Sequence, residues 1–136
     1  MHTHSSLDHT EAQRIVAAIV AEAEKRGVAV VVAVADPHGE PLALLRMSGA
    51  ALTSITIALN KAHSAARDRK TTLELGTKMR DKGYDIAYYG DAKFVGWGGG
   101  VPVFVNGAVV GSVAVSGLSQ EDDEALARIG ISTLGI

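Results

Sequence analysis

The sequence predicts an α+β domain, with helices packed on an antiparallel sheet, and three features carry that prediction. Asn106-Gly107 separates two β-branched runs within Gly96–Gly117, the strongest short-range signal for a two-residue hairpin. A second Val-rich run, Val28–Ala35, leads through Asp36-Pro37-His38-Gly39 into Leu42–Arg46. Asp first, Pro second and Gly fourth are type I turn preferences, so this reads as another hairpin. Finally, four segments place small and aliphatic residues at helical spacing and carry cap residues at their ends.

The Asn106-Gly107 loop fixes an expected register. Val105 faces Ala108, Val103 faces Val110 and Val101 faces Ser112, because a two-residue turn leaves no slack. One face then carries Val101, Val103, Val105 and Val110, and the other Phe104, Val109, Val113 and Val115. Two apolar faces predict a hairpin covered on both sides and central in its sheet. Gly98, Gly99 and Gly100 lead into the hairpin and Ser116-Gly117 leave it. Both flanks therefore lie together, opposite the turn, and a ligand is expected there.

The first helix is predicted over Asp8–Arg26, with Asp8 and Glu11 forming a capping box and Gly27 stopping it. The second runs from Ser54 to Asp68, with Ile55, Leu59, Ala62 and Ala66 as its buried stripe. Thr71 with Glu74 opens a third helix that stops at Gly83, and Ser119 caps the last, which is acidic in its first turn. Tyr84–Asp91 reads as a loop, with a short strand around Phe94 and Val95. The order is α-β-β-α-α-(β)-β-β-α.

Composition narrows the function. At 136 residues the chain is one domain, 1–136, long enough to bury a core unaided. A formal net charge of −2 provides no basic face for nucleic acid. The absence of Cys excludes disulfides, thiolate metal sites and a Cys nucleophile. The opening Met1-His-Thr-His-Ser-Ser lacks the apolar stretch of a signal peptide, so a cytoplasmic location is expected. No apolar run approaches the ~20 residues of a membrane span.

Five segments in order resemble one family: Val34-Ala-Asp-Pro-His-Gly, Leu45-Arg-Met-Ser-Gly-Ala, Ala58-Leu-Asn-Lys-Ala-His-Ser-Ala, Gly98-Gly-Gly-Val-Pro-Val and Val110-Gly-Ser-Val-Ala-Val-Ser-Gly. They are similar to the haem-binding protein and GlcG-like family, which includes the C-terminal domain of PduO-type corrinoid adenosyltransferases. The resemblance spans nearly the whole chain. It implies a profilin-like five-stranded antiparallel sheet flanked by helices, and assembly into a homo-oligomer. For function it implies several roles: some members bind haem, some are extracellular partners of redox sensors, and many sit beside catabolic genes with no assigned activity.

Haem needs an axial ligand, an apolar slot and cations for its propionates. Without Cys, the five histidines, three methionines and the tyrosines supply the candidate ligands. His2 and His4 read as disordered terminal residues, and His38 as a solvated turn residue. His9 falls in the first turn of the first helix, a region from which the resemblance implies a ligand. His63 flanks the buried stripe of the second helix, with Thr56, Asn60 and Arg67 on the same polar edge. Such an imidazole can ligate iron, donate to an anion or move a proton; it can also simply pack at a boundary. Asp36, Arg46 and Lys61 match residue types in the family pattern. Asp36 is explained by its turn, Arg46 can clamp a carboxylate, and Lys61 reads as solvated or intersubunit.

The amides of Gly98–Gly100 can approach an anion closely, and Trp97 beside them offers a flat wall to a planar ligand. No Gly-Lys-Ser/Thr follows, so this is no P-loop. The leading expectation is a cytoplasmic, oligomeric protein that binds a small planar or anionic ligand, with haem foremost by resemblance. Its site is expected among His63, Arg46, Arg67, Trp97, Gly98, Gly99, Gly100 and Ser116, with His63 or His9 as axial ligand. The alternative is a small lyase or isomerase acting on a carboxylated catabolite. There His63 moves the proton, Arg46 or Arg67 clamps the carboxylate and the glycine amides serve as oxyanion donors.

Overall fold

A computed structural model describes residues 1–136. Four strands and four helices run in the order α1 (His9–Arg26), β1 (Val31–Ala35), β2 (Pro41–Arg46), α2 (Thr53–Asp68), α3 (Thr72–Lys82), β3 (Gly100–Val105), β4 (Ala108–Ser116) and α4 (Gln120–Ser132), with a 3₁₀ turn at Ile86–Tyr89. The strands form one antiparallel sheet in the order β2-β1-β4-β3. The expected fifth strand is absent. Around Phe94 and Val95 the backbone bonds elsewhere: the Val95 amide donates to Ser64 Oγ at 3.0 Å and that of Phe94 to the Asp91 carbonyl at 3.1 Å. With its donors satisfied by α2 and by a local turn, the segment gains nothing from pairing with the sheet.

Local chemistry sets the helix ends. Asp8 and Glu11 form the expected capping box, and Gly27 ends α1 at φ 71°. Thr71 and Ser119 accept from Glu74 N and Asp122 N. The Val28 amide donates to the Ala23 carbonyl, finishing α1 rather than starting a strand, so β1 begins at Val31.

Asn106 (φ 51°) and Gly107 (φ 78°) form the predicted turn, and Val105 pairs with Ala108. Beyond that the register departs from expectation. Phe104 pairs with Val109, the ladder shifts, and Val103 then faces Gly111 and Val101 faces Val113. The shift places Gly111 where a Cβ would lie 2.4 Å from the Ala35 carbonyl oxygen. A side chain there would push β1 away, so the bulge uses the one residue that permits close approach.

This shift also reassigns the faces. Val101, Val103, Val110, Val113 and Val115 share one face, where they form the main core with Ile15 and Ile19 of α1 and Leu126 of α4. The opposite face is small: Val31, Ala33, Ala35 and Ala114 meet Ala58 and Ala62 of α2. Only β4 of the hairpin is central; β3 is an edge, and Phe104 is exposed.

Lys61 corrects a second expectation. It is neither solvated nor peripheral but 2% exposed, its Nζ donating to the Val115 carbonyl at 2.8 Å and lying 3.0 Å from Asp123 Oδ2. Asp123 Oδ1 accepts from Leu118 N at 3.0 Å. The pair joins α2 to α4 across the end of β4. Burial lowers the Lys61 pKa and raises that of Asp123, in each case outweighing the partner's charge. No helix is long and apolar enough to cross a membrane.

Two stability predictions follow from these contacts. Gly107→Val has open space but positive φ, so strain alone should cost about 1–2 kcal/mol in urea unfolding. Lys61→Met should cost about 3–5 kcal/mol by leaving Asp123 buried and unpaired, while adding Asp123→Leu should recover most of that loss.

Candidate functional site

Alanines on α2 bring its backbone close to the small face of the sheet, and the same helix carries a polar edge beside them. Thr56, Asn60, His63 and Arg67 recur at helical intervals along that edge. His63 is 5% exposed. Its Nε2 lies 2.7 Å from Asp91 Oδ2, while Asp91 Oδ1 accepts from the Lys93 amide at 3.0 Å. Arg67 Nη1 approaches the same Asp91 oxygen at 3.6 Å, and its Nε donates to the His38 carbonyl at 2.8 Å. Phe94 meets the His63 ring edge-on at a centroid distance of 6.0 Å, and Tyr89 lies 4.7 Å from Phe94.

The hydrogen bond from His63 is the main cause that lowers the Asp91 pKa. The Lys93 amide and the electrostatic attraction of His63 and Arg67 add to it against burial. Tyr89 moves the other way, its phenol raised by burial and by Asp68. Asp91 is therefore an ionised acceptor at neutral pH, and Nε2 of His63 must carry the proton they share.

Two cavities meet at His63. The outer one, about 600 Å³, is rimmed by Glu40, Arg67, Tyr89, Asp91 and Lys93. The inner one, about 270 Å³, lies between α2 and β1: Ala33, Ala35, Leu59 and Ala62 give it apolar walls, Thr56 and Asn60 polar ones. Glu40, His63 and Lys93 line both.

The structure unites only part of the predicted site. His63 and Arg67 share the outer cavity. Trp97 lies over another cavity, of about 330 Å³, with Met79, Tyr84 and Ile86. Gly99 and Gly100 pack around Lys61, Thr72 and Asp123, and Gly98 packs against Leu73 and Gln120; the Gly98 amide donates to Gln120 Oε1 and that of Gly100 to Thr72 Oγ1. Ser116 is buried, in register through Val31 with exposed Arg46 on the sheet edge. None of these residues lines either cavity at His63. His9 is exposed in the first turn of α1.

Asp91 and Lys93 escape a sequence reading because they lie in irregular chain about 30 residues downstream, where no periodicity ties them to α2. Nor are the terminal histidines isolated. The His4 ring stands 5.3 Å from that of His38 and 6.0 Å from that of His2, in a cavity of about 560 Å³ that also holds Arg67, Arg69 and Val109. No group of three or more His, Cys, Asp or Glu side chains converges on a bare metal ion.

Comparison with known proteins gives the family. A family model described as "Haem degrading protein HbpS-like" matches residues 7–132. The chain is 36% identical over 122 residues to an uncharacterized 15.0 kDa protein of the dhaT-dhaS intergenic region of Citrobacter freundii, covering 88% of this chain and 86% of that one. It is 37% identical over 123 residues to protein GlcG of Escherichia coli, covering 85% of each. It matches the corrinoid adenosyltransferase PduO of Salmonella typhimurium at 29% identity but spans only 40% of its length. The crystal structure of HbpS superposes with a TM-score of 0.90 at 32% identity, over 100% of this chain and 95% of that one. The crystal structure of the PduOC:heme complex gives 0.86 at 29% identity, over 93% and 94%. By its sequence over residues 7–132 and by its fold, the chain belongs to the HbpS-like family, with GlcG among its relatives.

Proposed function

We propose that this protein binds a small planar or anionic ligand, with haem the leading candidate. The likeness to a relative crystallised with haem supports the ligand, and one observation on this chain carries the reading: unbonded imidazoles beside guanidinium groups. A porphyrin supplies four equatorial nitrogens itself, so the protein need provide only one or two axial ligands and cations for the propionates. The His4–His38 pair with Arg67 and Arg69 has that donor set, and Pro37, Ala66 and Val109 give apolar flank. His63 fits less well, because iron at Nε2 would displace the 2.7 Å bond to Asp91, and the cavity beside Gly39, at about 270 Å³, is too small for a porphyrin at Nδ1. Bound in this way, haem would supply a redox-active iron; the chain's part is to hold it through imidazole and to pair its carboxylates.

Haemin titration tests the assignment. The Soret band should shift with the wild type and with His63→Ala, and lose that shift in a His4→Ala/His38→Ala double variant. Arg67→Ala should weaken binding roughly tenfold through a lost charge-assisted bond. A shift abolished by His63→Ala in folded protein would return the ligand to His63.

Association of copies is part of the same reading. Edge strand β2 exposes Leu44 (44%) and Leu45 (38%) beside an apolar groove of about 390 Å³ that includes Val16 and Val20 of α1. An open edge with apolar side chains favours pairing. Light scattering should give a mass above 14.1 kDa, and Leu45→Glu should lower it.

The His63–Asp91 bond favours a second reading, in which the protein acts on a small carboxylated molecule. His63 would move the proton and Arg67, 3.6 Å from Asp91, would meet the carboxylate.

A further inference from the structure

The orientation of His63 singles out one of its two cavities. Asp91 takes Nε2, so in the neutral imidazole Nδ1 keeps the lone pair. That nitrogen has no hydrogen-bond partner in the chain, yet the only sealed and unpartnered side-chain polar atom is Glu124 Oε1. Nδ1 is therefore open. It lies against Gly39, where an added Cβ would come within 3.1 Å of it, and Gly39 lines the inner cavity. A residue with a side chain at Gly39 would crowd the lone pair. Thr56 and Asn60, on the polar edge of α2, border the same space, and Lys93, like Glu40, lines both cavities.

We propose that the inner cavity is a binding subsite for a compact hydroxylated carboxylate, whose hydroxyl donates to His63 Nδ1 and whose carboxylate lies toward Lys93. Asp91 is its positioning residue, acting through the tautomer of His63. Size sets the first limit: about 270 Å³ falls just below the usual range for small-molecule pockets, so the ligand is short. The walls set the second, since Ala33, Ala35, Leu59 and Ala62 suit an alkyl body. The lone pair sets the third, because an acceptor at Nδ1 requires a donor on the ligand. This subsite rests on the proton-transfer reading of His63 and is separate from the haem reading.

Nitrogen-15 NMR of the imidazoles, with 3-hydroxybutanoate as probe and butanoate as its hydroxyl-free control, tests the proposal. Unliganded protein at neutral pH should show His63 as the Nε2–H tautomer. 3-Hydroxybutanoate should perturb Nδ1 and bind about tenfold more tightly than butanoate, the loss expected for one hydrogen bond. Asp91→Asn should weaken the tautomer preference and narrow that ratio, and Thr56→Val should weaken binding while leaving the tautomer unchanged. If the two probes bind equally, or perturb only Tyr89 and Arg67 in the outer cavity, the subsite is wrong while His63 keeps its proton-transfer role. An Nδ1–H tautomer in the wild type would overturn both, and it requires no variant to fold.

Discussion

The ion pair between Lys61 and Asp123 determines how the rest of the molecule sits. Each side chain is almost wholly removed from water, and burial presses both toward neutrality. Such a pair is a poor source of stability by itself, since desolvation consumes most of the attraction. What it supplies is position. Lys61 Nζ reaches the Val115 carbonyl and Asp123, and Asp123 in turn takes the Leu118 amide. One contact thus fixes α2 against the end of β4 and the start of α4. Gly99 belongs to the same arrangement: a Cβ there would stand 2.5 Å from the Val115 oxygen and 2.7 Å from Lys61 Nζ.

Fixing Lys61 also fixes the rotation of α2. Residues two apart on a helix point to well-separated directions, so with Lys61 turned toward α4, His63 turns toward Gly39 and the β1–β2 side. Ala58 and Ala62 lie against the sheet and set the depth. Ser112 secures it, its hydroxyl donating to the Ala62 carbonyl at 2.6 Å. The helix therefore has a structural cation on one side, an apolar seam beneath and a polar edge on the other, and the polar edge borders the cavities.

This division explains what was legible in the sequence. The helix caps were readable because Asp8, Thr71 and Ser119 bond within three residues of themselves. The Asn106-Gly107 turn was readable for the same reason. The register beyond it was not, because the shift near Gly111 answers to the Ala35 carbonyl on a different strand. His63 and Arg67 were visible as neighbours on one helical edge, but Asp91 reaches them from irregular chain. The burial of Lys61 is not visible locally because its partner lies on the last helix, and helical periodicity says nothing of a distant carboxylate. The triple glycine was recognised as a close-approach element, yet what approaches is Lys61 and Thr72 of the chain itself. Local signals named the elements and half of the site; tertiary packing chose the partners.

Arg67 ties the two imidazole clusters together. Its Nε donates to the His38 carbonyl while Nη1 leans on Asp91, so one guanidinium borders both the His4–His38 cavity and the outer cavity at His63. A planar fork with five donors can serve both sides at once. The contacts are unequal, however. At 2.8 Å the bond to His38 is well formed, whereas 3.6 Å to Asp91 is a charge interaction on a side chain with 47% exposure, where water screens it. An anion entering from the His38 side therefore meets a guanidinium already held in place by the turn and only weakly engaged by Asp91. Asp91 makes its shorter bond to His63, at 2.7 Å, so the imidazole is held by the carboxylate more closely than the guanidinium is. The shared arginine brings the clusters close, while the difference in distance ties it more firmly to the His38 turn than to Asp91.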